Sequence, residues 1–103
     1  MPERRDLPQR REAETFDIEF GGIGLKYLVT VGRYEGGDVG EVFINFPKSG
    51  AQAEAIARDG AVLLSLALQY GVPLDTIAHA ITRDGQGAPS SIIGAVVDKL
   101  KTG

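Results

Sequence analysis

The spacing of apolar residues changes once along the chain, and this change restricts the fold more than any other feature. Between Thr15 and Phe46, apolar side chains recur at every second position, which is typical of half-buried β-strands. From Ser49 onward they recur every three or four positions, as on an amphipathic helix. Strands grouped ahead of helices predict an α+β fold. We therefore expect the order β-β-β-α-α-α, with three helices packed on one face of a three-stranded antiparallel meander.

Glycine-rich turns divide the first half of the chain into three predicted strands. The first places Phe16, Ile18 and Phe20 on one face. The second covers residues 27–34, with Tyr27, Val29 and Val31 on one side, and the third covers residues 41–46. The third strand is expected to alternate, with Val42, Ile44 and Phe46 pointing inward and Glu41, Phe43 and Asn45 pointing outward.

The first predicted helix covers residues 51–70. Ser49 and Gln52 have the spacing of a capping box at its start, and Gly71 suits a left-handed stop at its end. Its second half is apolar on nearly every side, which favours a central helix or one side of a homodimer. Its buried stripe is expected to contain Ala53, Ile56, Ala57, Gly60, Leu63, Leu64, Ala67 and Leu68.

Two shorter helices are predicted after the first. One runs from Pro73 or Leu74 to Thr82, and the other opens at Ser90 or Ser91. The segment between them, residues 83–89, contains two glycines and a proline and is predicted to be a loop.

The first fourteen residues are nearly all polar or charged. This composition predicts a flexible, solvated arm of residues 1–14 outside a single domain of residues 15–103. The functional alternative is a basic arm that contacts a phosphate backbone or an acidic partner. Its contact residues would be Arg4, Arg5, Arg10 and Arg11.

The composition narrows the possible chemistry. The chain has no cysteine, so it cannot form disulfides, thiolate metal sites or thiol nucleophiles. A net charge of −3 argues against broad binding to nucleic acid or to an anionic membrane. The charged N-terminus lacks a signal-peptide pattern, and the apolar run 61–68 is too short to span a bilayer. We predict a cytoplasmic protein.

Few residues are suited to catalysis. His79 is the single histidine and has no second histidine or cysteine with which to form a metal site or dyad, so a surface or interface role is expected. Ser65 lies in an apolar helix and is predicted to bond to a carbonyl one turn earlier. We therefore predict no catalytic residue, no metal site and no cofactor.

The junction between the third strand and the first helix is the best candidate for a ligand site. A helix N-terminus offers free N–H groups and a positive dipole end, and Lys48 adds charge there. A phosphate or carboxylate could bind at this corner, through Asn45, Lys48, Ser49 and Gly50. The alternative is that Ser49 simply caps the helix.

Several runs resemble one known family. They are Tyr-Leu-Val-Thr-Val-Gly-Arg-Tyr-Glu-Gly-Gly at 27–37, Gly-Glu-Val-Phe-Ile at 40–44, Lys-Ser-Gly at 48–50, and Leu-Ser-Leu-Ala-Leu-Gln-Tyr-Gly-Val-Pro-Leu at 64–74. In order and spacing these runs resemble the segment that follows the catalytic barrel of adenosylcobalamin-dependent ribonucleotide reductases. That segment is called the TSCPD domain. The short cysteine-containing motif behind its name is missing here.

The resemblance implies a free-standing accessory domain without the catalytic residues that the family carries elsewhere. Its leading interpretation is a non-catalytic module that acts by protein association, with a reductase catalytic chain as the partner. The contact surface would combine Glu41, Phe43 and Asn45 with the corner at residues 48–50. The alternatives are a nucleotide- or phosphate-binding domain, nucleic-acid contact through the arginine arm, and a homodimer.

Overall fold

The described residues form three strands followed by three helices, in the predicted order. The computed structural model describes residues 3–9, 12–22, 24–46 and 52–102. The strands are β1 (Ala13–Glu19), β2 (Lys26–Arg33) and β3 (Val39–Asn45), and the helices are α1 (Gln52–Gln69), α2 (Leu74–Ala80) and α3 (Ile92–Thr102). The sheet is antiparallel with the order β1-β2-β3. The α+β class and the meander are therefore confirmed.

Alternation along the strands separates the core face of the sheet from its outer face. Tyr27, Val29 and Val31 are buried, whereas Leu28 between them is exposed, as predicted. Phe46 also turns inward, where its ring stacks on Tyr27 with 4.6 Å between centroids. The core is completed by Val39, Val42, Ile44, Ala57, Ala61, Leu64, Ala78, Ile92, Val96 and Val97.

Helix α1 packs mainly against β3 and covers its outer edge. The Ser65 hydroxyl accepts a hydrogen bond from the Val42 N–H at 2.8 Å, and the Gln69 side-chain amide donates to the Gly40 carbonyl at 2.8 Å. Backbone groups of alternate residues point to the same edge of a strand, so both bonds occupy the edge that β2 leaves unused. The Ser65 oxygen also lies 2.8 Å from the Ala61 carbonyl, which confirms the predicted bond one turn earlier.

The buried stripe of α1 is narrower than the sequence pattern predicts. Ala57, Gly60, Leu64 and Leu68 face the interior, but Ile56 is 59% exposed and Leu63 is 69% exposed. Ala53 is exposed as well. The prediction that these three residues are buried was wrong. Because α1 lies along a strand edge rather than across the middle of the sheet, only one side of the helix is covered.

Glu41 is the second departure from the predicted pattern. It was expected outward with Phe43 and Asn45, but it is only 8% exposed. It pairs across the sheet with Gly32, and its Oε2 atom lies 2.7 Å from the point that a Cβ on Gly32 would occupy. Because glycine has no side chain, Glu41 folds down over the strand instead of projecting into solvent.

The two turns that follow α1 and α2 are closed by specific bonds. Gly71 has a φ of 90°, and the N–H groups of Gly71 and Val72 donate to Leu68 and Ala67, which is a Schellman end as the sequence predicts. In the loop after α2, Arg83 donates to both carboxylate oxygens of Asp98 at 2.7 and 2.9 Å. This pair ties the loop to α3. The Arg83 guanidinium lowers the pKa of Asp98 below its ordinary value of 3.8.

Replacing Ser65→Ala should destabilise the domain by about 1–3 kcal/mol, because the Val42 N–H loses its hydrogen-bond acceptor at a buried position. Urea unfolding followed by circular dichroism measures the change. Ser90→Ala is the matched control, since Ser90 is exposed, and it should stay within about 0.5 kcal/mol of the wild type. Equal stability of the two variants would show that Ser65 does not hold the strand edge.

Replacing Asp98→Asn should remove part of the acid sensitivity of folding. The lowered pKa means that the Arg83–Asp98 pair stabilises the native state above about pH 4 and that this contribution is lost as the pH falls through the native-state value. The variant should be less stable than the wild type at pH 7, and the difference should shrink at pH 3. Urea midpoints at both pH values test this, with Asp17→Asn on β1 as the exposed control.

Candidate functional site

The outward side of α1 carries an unusually apolar surface. Ile56 is 59% exposed, Val62 is 57% exposed and Leu63 is 69% exposed, and Asp59 interrupts them. We call Ile56, Val62 and Leu63 the α1 face. Single exposed apolar residues are common, but three within eight positions of one helix give an apolar surface of the kind that marks a contact site.

A groove runs between the α1 face and the outer side of β3. Its volume is about 620 Å³. Phe43, which is 53% exposed, forms part of the sheet side, and Val62 and Leu66 form part of the helix side. Glu41 also lines the groove, in its buried position over Gly32. The outer-face residues Phe43 and Asn45, chosen from the sequence, are therefore brought into one depression together with α1.

An arginine lies at each end of this groove. The Arg58 guanidinium donates to the Asn45 side-chain oxygen at 3.2 Å. Arg4 donates to the Gln69 side-chain oxygen, and both arginines line the groove. Gln69 is only 5% exposed, so it holds Arg4 at a fixed place beside the end of α1.

The segment around Arg5 lies against the domain. The backbone N–H of Arg5 donates to the Gln69 carbonyl at 2.7 Å, and the Arg5 carbonyl accepts from the Tyr34 hydroxyl at 2.6 Å. The Arg5 guanidinium lies 3.7 Å from the Tyr34 ring centroid and 3.5 Å from Asp38. Arg4 and Arg5 thus make intramolecular contacts in this structure. Arg10 and Arg11 lie outside the described residues.

The predicted anion-binding corner falls mostly where the structure gives no description. Lys48, Ser49 and Gly50 lie outside the described residues. The fourth candidate, Asn45, is exposed at the end of β3, where it accepts the bond from Arg58. An anion site at this corner stays a prediction.

The remaining candidates for chemistry lie apart from the groove. His79 is exposed on α2, and its Nδ1 lies 2.7 Å from the Asp75 carbonyl of the preceding turn. Within residues 3–9, 12–22, 24–46 and 52–102, no three histidine, aspartate or glutamate side chains are grouped so as to hold a metal ion. No helix in the same ranges has the length and apolar character needed to cross a membrane.

Sequence reasoning missed Arg58 and Gln69, although a signal was present. Arg58, Ser65 and Gln69 are polar residues at positions i, i+7 and i+11 of the helix, and Ser65 and Gln69 lie in its apolar second half. That spacing places them on one stripe, because a helix turns once every 3.6 residues. We call these three residues the polar seam. A polar stripe along an apolar helix indicates contact with another polar element, which here is the edge of β3.

Comparison with known proteins gives consistent matches. The TSCPD domain model matches residues 2–102. The chain is 40% identical over 82 residues to a vitamin B12-dependent ribonucleotide reductase of Bradyrhizobium diazoefficiens, and 40% identical over 80 residues to one of Agrobacterium fabrum. The reductase of Rhodopirellula baltica is 37% identical over 78 residues. No solved structure matches.

These matches cover most of this chain but little of each reductase. They span 80%, 78% and 76% of the chain, and 6%, 6% and 7% of the respective reductases. The chain thus corresponds to one small segment of those proteins. Since the family model covers nearly all of its residues, the chain belongs to the TSCPD domain family.

Proposed function

We propose that this protein is a non-catalytic accessory domain that acts by associating with the catalytic chain of a vitamin B12-dependent ribonucleotide reductase. The similar reductases contain the equivalent segment as 6–7% of a much longer chain. A segment in that position has the rest of the reductase available as a packing partner. We infer that this chain binds the corresponding surface of a reductase catalytic chain.

The observation that carries the proposal is the α1 face. Ile56, Val62 and Leu63 are each more than half exposed, although α1 is well packed on its opposite side. Burying a large aliphatic side chain completely contributes about 1.5–3 kcal/mol, so covering this patch would supply a useful part of a binding free energy. Protein contact surfaces have an apolar centre of this kind with a polar rim, and Arg58 and Asp59 lie beside it.

The arginine arm supports protein association better than nucleic-acid binding. Arg5 is held against the Tyr34 ring and Asp38, and the net charge of the chain is −3. Broad contact with a phosphate backbone needs free cations and a positive field. Nucleotide binding at the strand–helix corner and a homodimer through α1 stay predictions. A cytoplasmic location accompanies the proposed function.

Replacing Leu63→Glu should strongly reduce recovery of the reductase catalytic chain when the tagged protein is purified from its own cells at low salt. The substitution places a charge on the α1 face, at its most exposed residue, and the desolvation of that charge would oppose binding. We expect at least about a tenfold loss of co-purified reductase, measured by quantitative mass spectrometry. Because Leu63 is 69% exposed, the domain itself should keep its thermal stability.

Thr76→Glu is the matched control, because Thr76 is an exposed position on α2 and the variant carries the same added charge. It should recover as much reductase as the wild type. The proposed function would be contradicted if the wild type recovers no reductase, or if Leu63→Glu and Thr76→Glu recover equal amounts.

A further inference from the structure

The groove beside the α1 face is lined by a strand and a helix that run side by side. It lies between the outer side of β3 and α1, with Phe43 on one side and Val62 and Leu66 on the other. Val62 belongs to both the groove and the α1 face, so the two surfaces are continuous. A partner that covers the α1 face would therefore pass a neighbouring segment over the groove.

The arginines at its ends are short of anionic partners. In the hydrogen bonds of the described residues, Arg58 donates to the neutral amide of Asn45 and Arg4 to that of Gln69. Each guanidinium has five N–H donors, so most of the donors at each end remain available. The described ion pairs with aspartate or glutamate involve other cations, at Arg5, Arg33, Arg83 and Lys101. Glu41 already takes part in an interaction within the chain.

The spacing of the two ends sets the length of the occupant. Arg58 lies on α1, and Arg4 is held at Gln69, eleven positions further along the same helix. That separation is about 16 Å, since each helical residue rises 1.5 Å. An extended peptide covers the same distance in about five residues, and its side chains alternate between two faces. Two carboxylates that both face the groove must therefore be an even number of residues apart, and six residues are enough to reach both ends. A nucleotide, whose phosphates are clustered together, would reach only one of the arginines.

We propose that this groove binds an extended acidic segment of the partner protein, with two carboxylates six residues apart at Arg58 and Arg4 and apolar side chains on the same face between them against Phe43 and Leu66. The inference rests on the proposed function, because it names the chemistry of the partner segment that the association would use. Carboxylates suit both ends, since an arginine fork pairs with them through two parallel hydrogen bonds.

The test uses the full chain and fluorescently labelled peptides in an anisotropy titration. The probe is Glu-Thr-Leu-Thr-Leu-Thr-Glu, in which both glutamates and both leucines lie on one face of the extended chain. A peptide of the same composition with its two glutamates adjacent is the spacing control. The spaced peptide should bind at least about fivefold more tightly than the control, because it alone reaches both arginines. A single-stranded oligonucleotide is titrated in parallel.

Arg58→Gln should weaken binding of the spaced peptide by about tenfold, because one charge-assisted contact is lost. Lys99→Gln removes the same charge from the exposed side of α3 and should leave binding unchanged. Phe43→Ala should weaken binding without affecting the spacing preference. Thermal unfolding of each variant checks that the domain is intact; Arg58 and Phe43 are exposed, so both variants should fold.

Equal binding of the two peptides, an unchanged affinity in Arg58→Gln, or tighter binding of the oligonucleotide would overturn the inference. These outcomes are separate from a failure of the proposed function, which is determined by reductase recovery with Leu63→Glu. If reductase recovery depends on Leu63 while peptide affinity is the same in the wild type and in Arg58→Gln, that result would support the association and exclude the acidic segment as its ligand.

Discussion

The open edge of β3 is the constraint on which the rest of the structure depends. A three-stranded sheet has two edges whose backbone groups need partners or cover. At the β3 edge, the side chains of Ser65 and Gln69 in α1 provide hydrogen-bond partners for the backbone of Val42 and Gly40. The bonds are in register because four helical residues rise about 6 Å and two strand residues about 6.7 Å. The helix therefore acts as a fourth element beside the sheet.

The position of α1 at the strand edge also creates the candidate surface. A helix lying across the middle of a sheet can bury a broad apolar stripe, but a helix at the edge buries only the side turned toward the core. Ala57, Ala61 and Leu64 fill that side. Ile56 and Leu63 are left in solvent, and the space between α1 and the outer side of β3 becomes the groove. The position of α1 at the edge of β3 therefore explains both the packing of the helix and the apolar surface that it leaves exposed.

The run that carries the clearest family resemblance has a structural explanation. Residues 64–74 contain Ser65 and Gln69, which fix α1 to β3, and Gly71, which ends the helix in a left-handed conformation. Gln69 further binds Arg4 through its side chain and Arg5 through its carbonyl. This run therefore specifies how the helix is placed and stopped.

Local periodicity was enough to determine the strands, the helices, the Gly71 stop and the inward residues of β2, because each depends on neighbours within a few positions. The corner at residues 48–50 was also chosen from local pattern, and its role stays a prediction. Only the tertiary structure decided which apolar side of α1 is covered, since that depends on where β3 and α3 lie. It likewise decided the burial of Glu41, which requires Gly32 opposite it on the neighbouring strand. That pairing depends on the exact register of β2 and β3, which includes an irregularity between Gly32 and Arg33 that the alternation of apolar residues does not reveal.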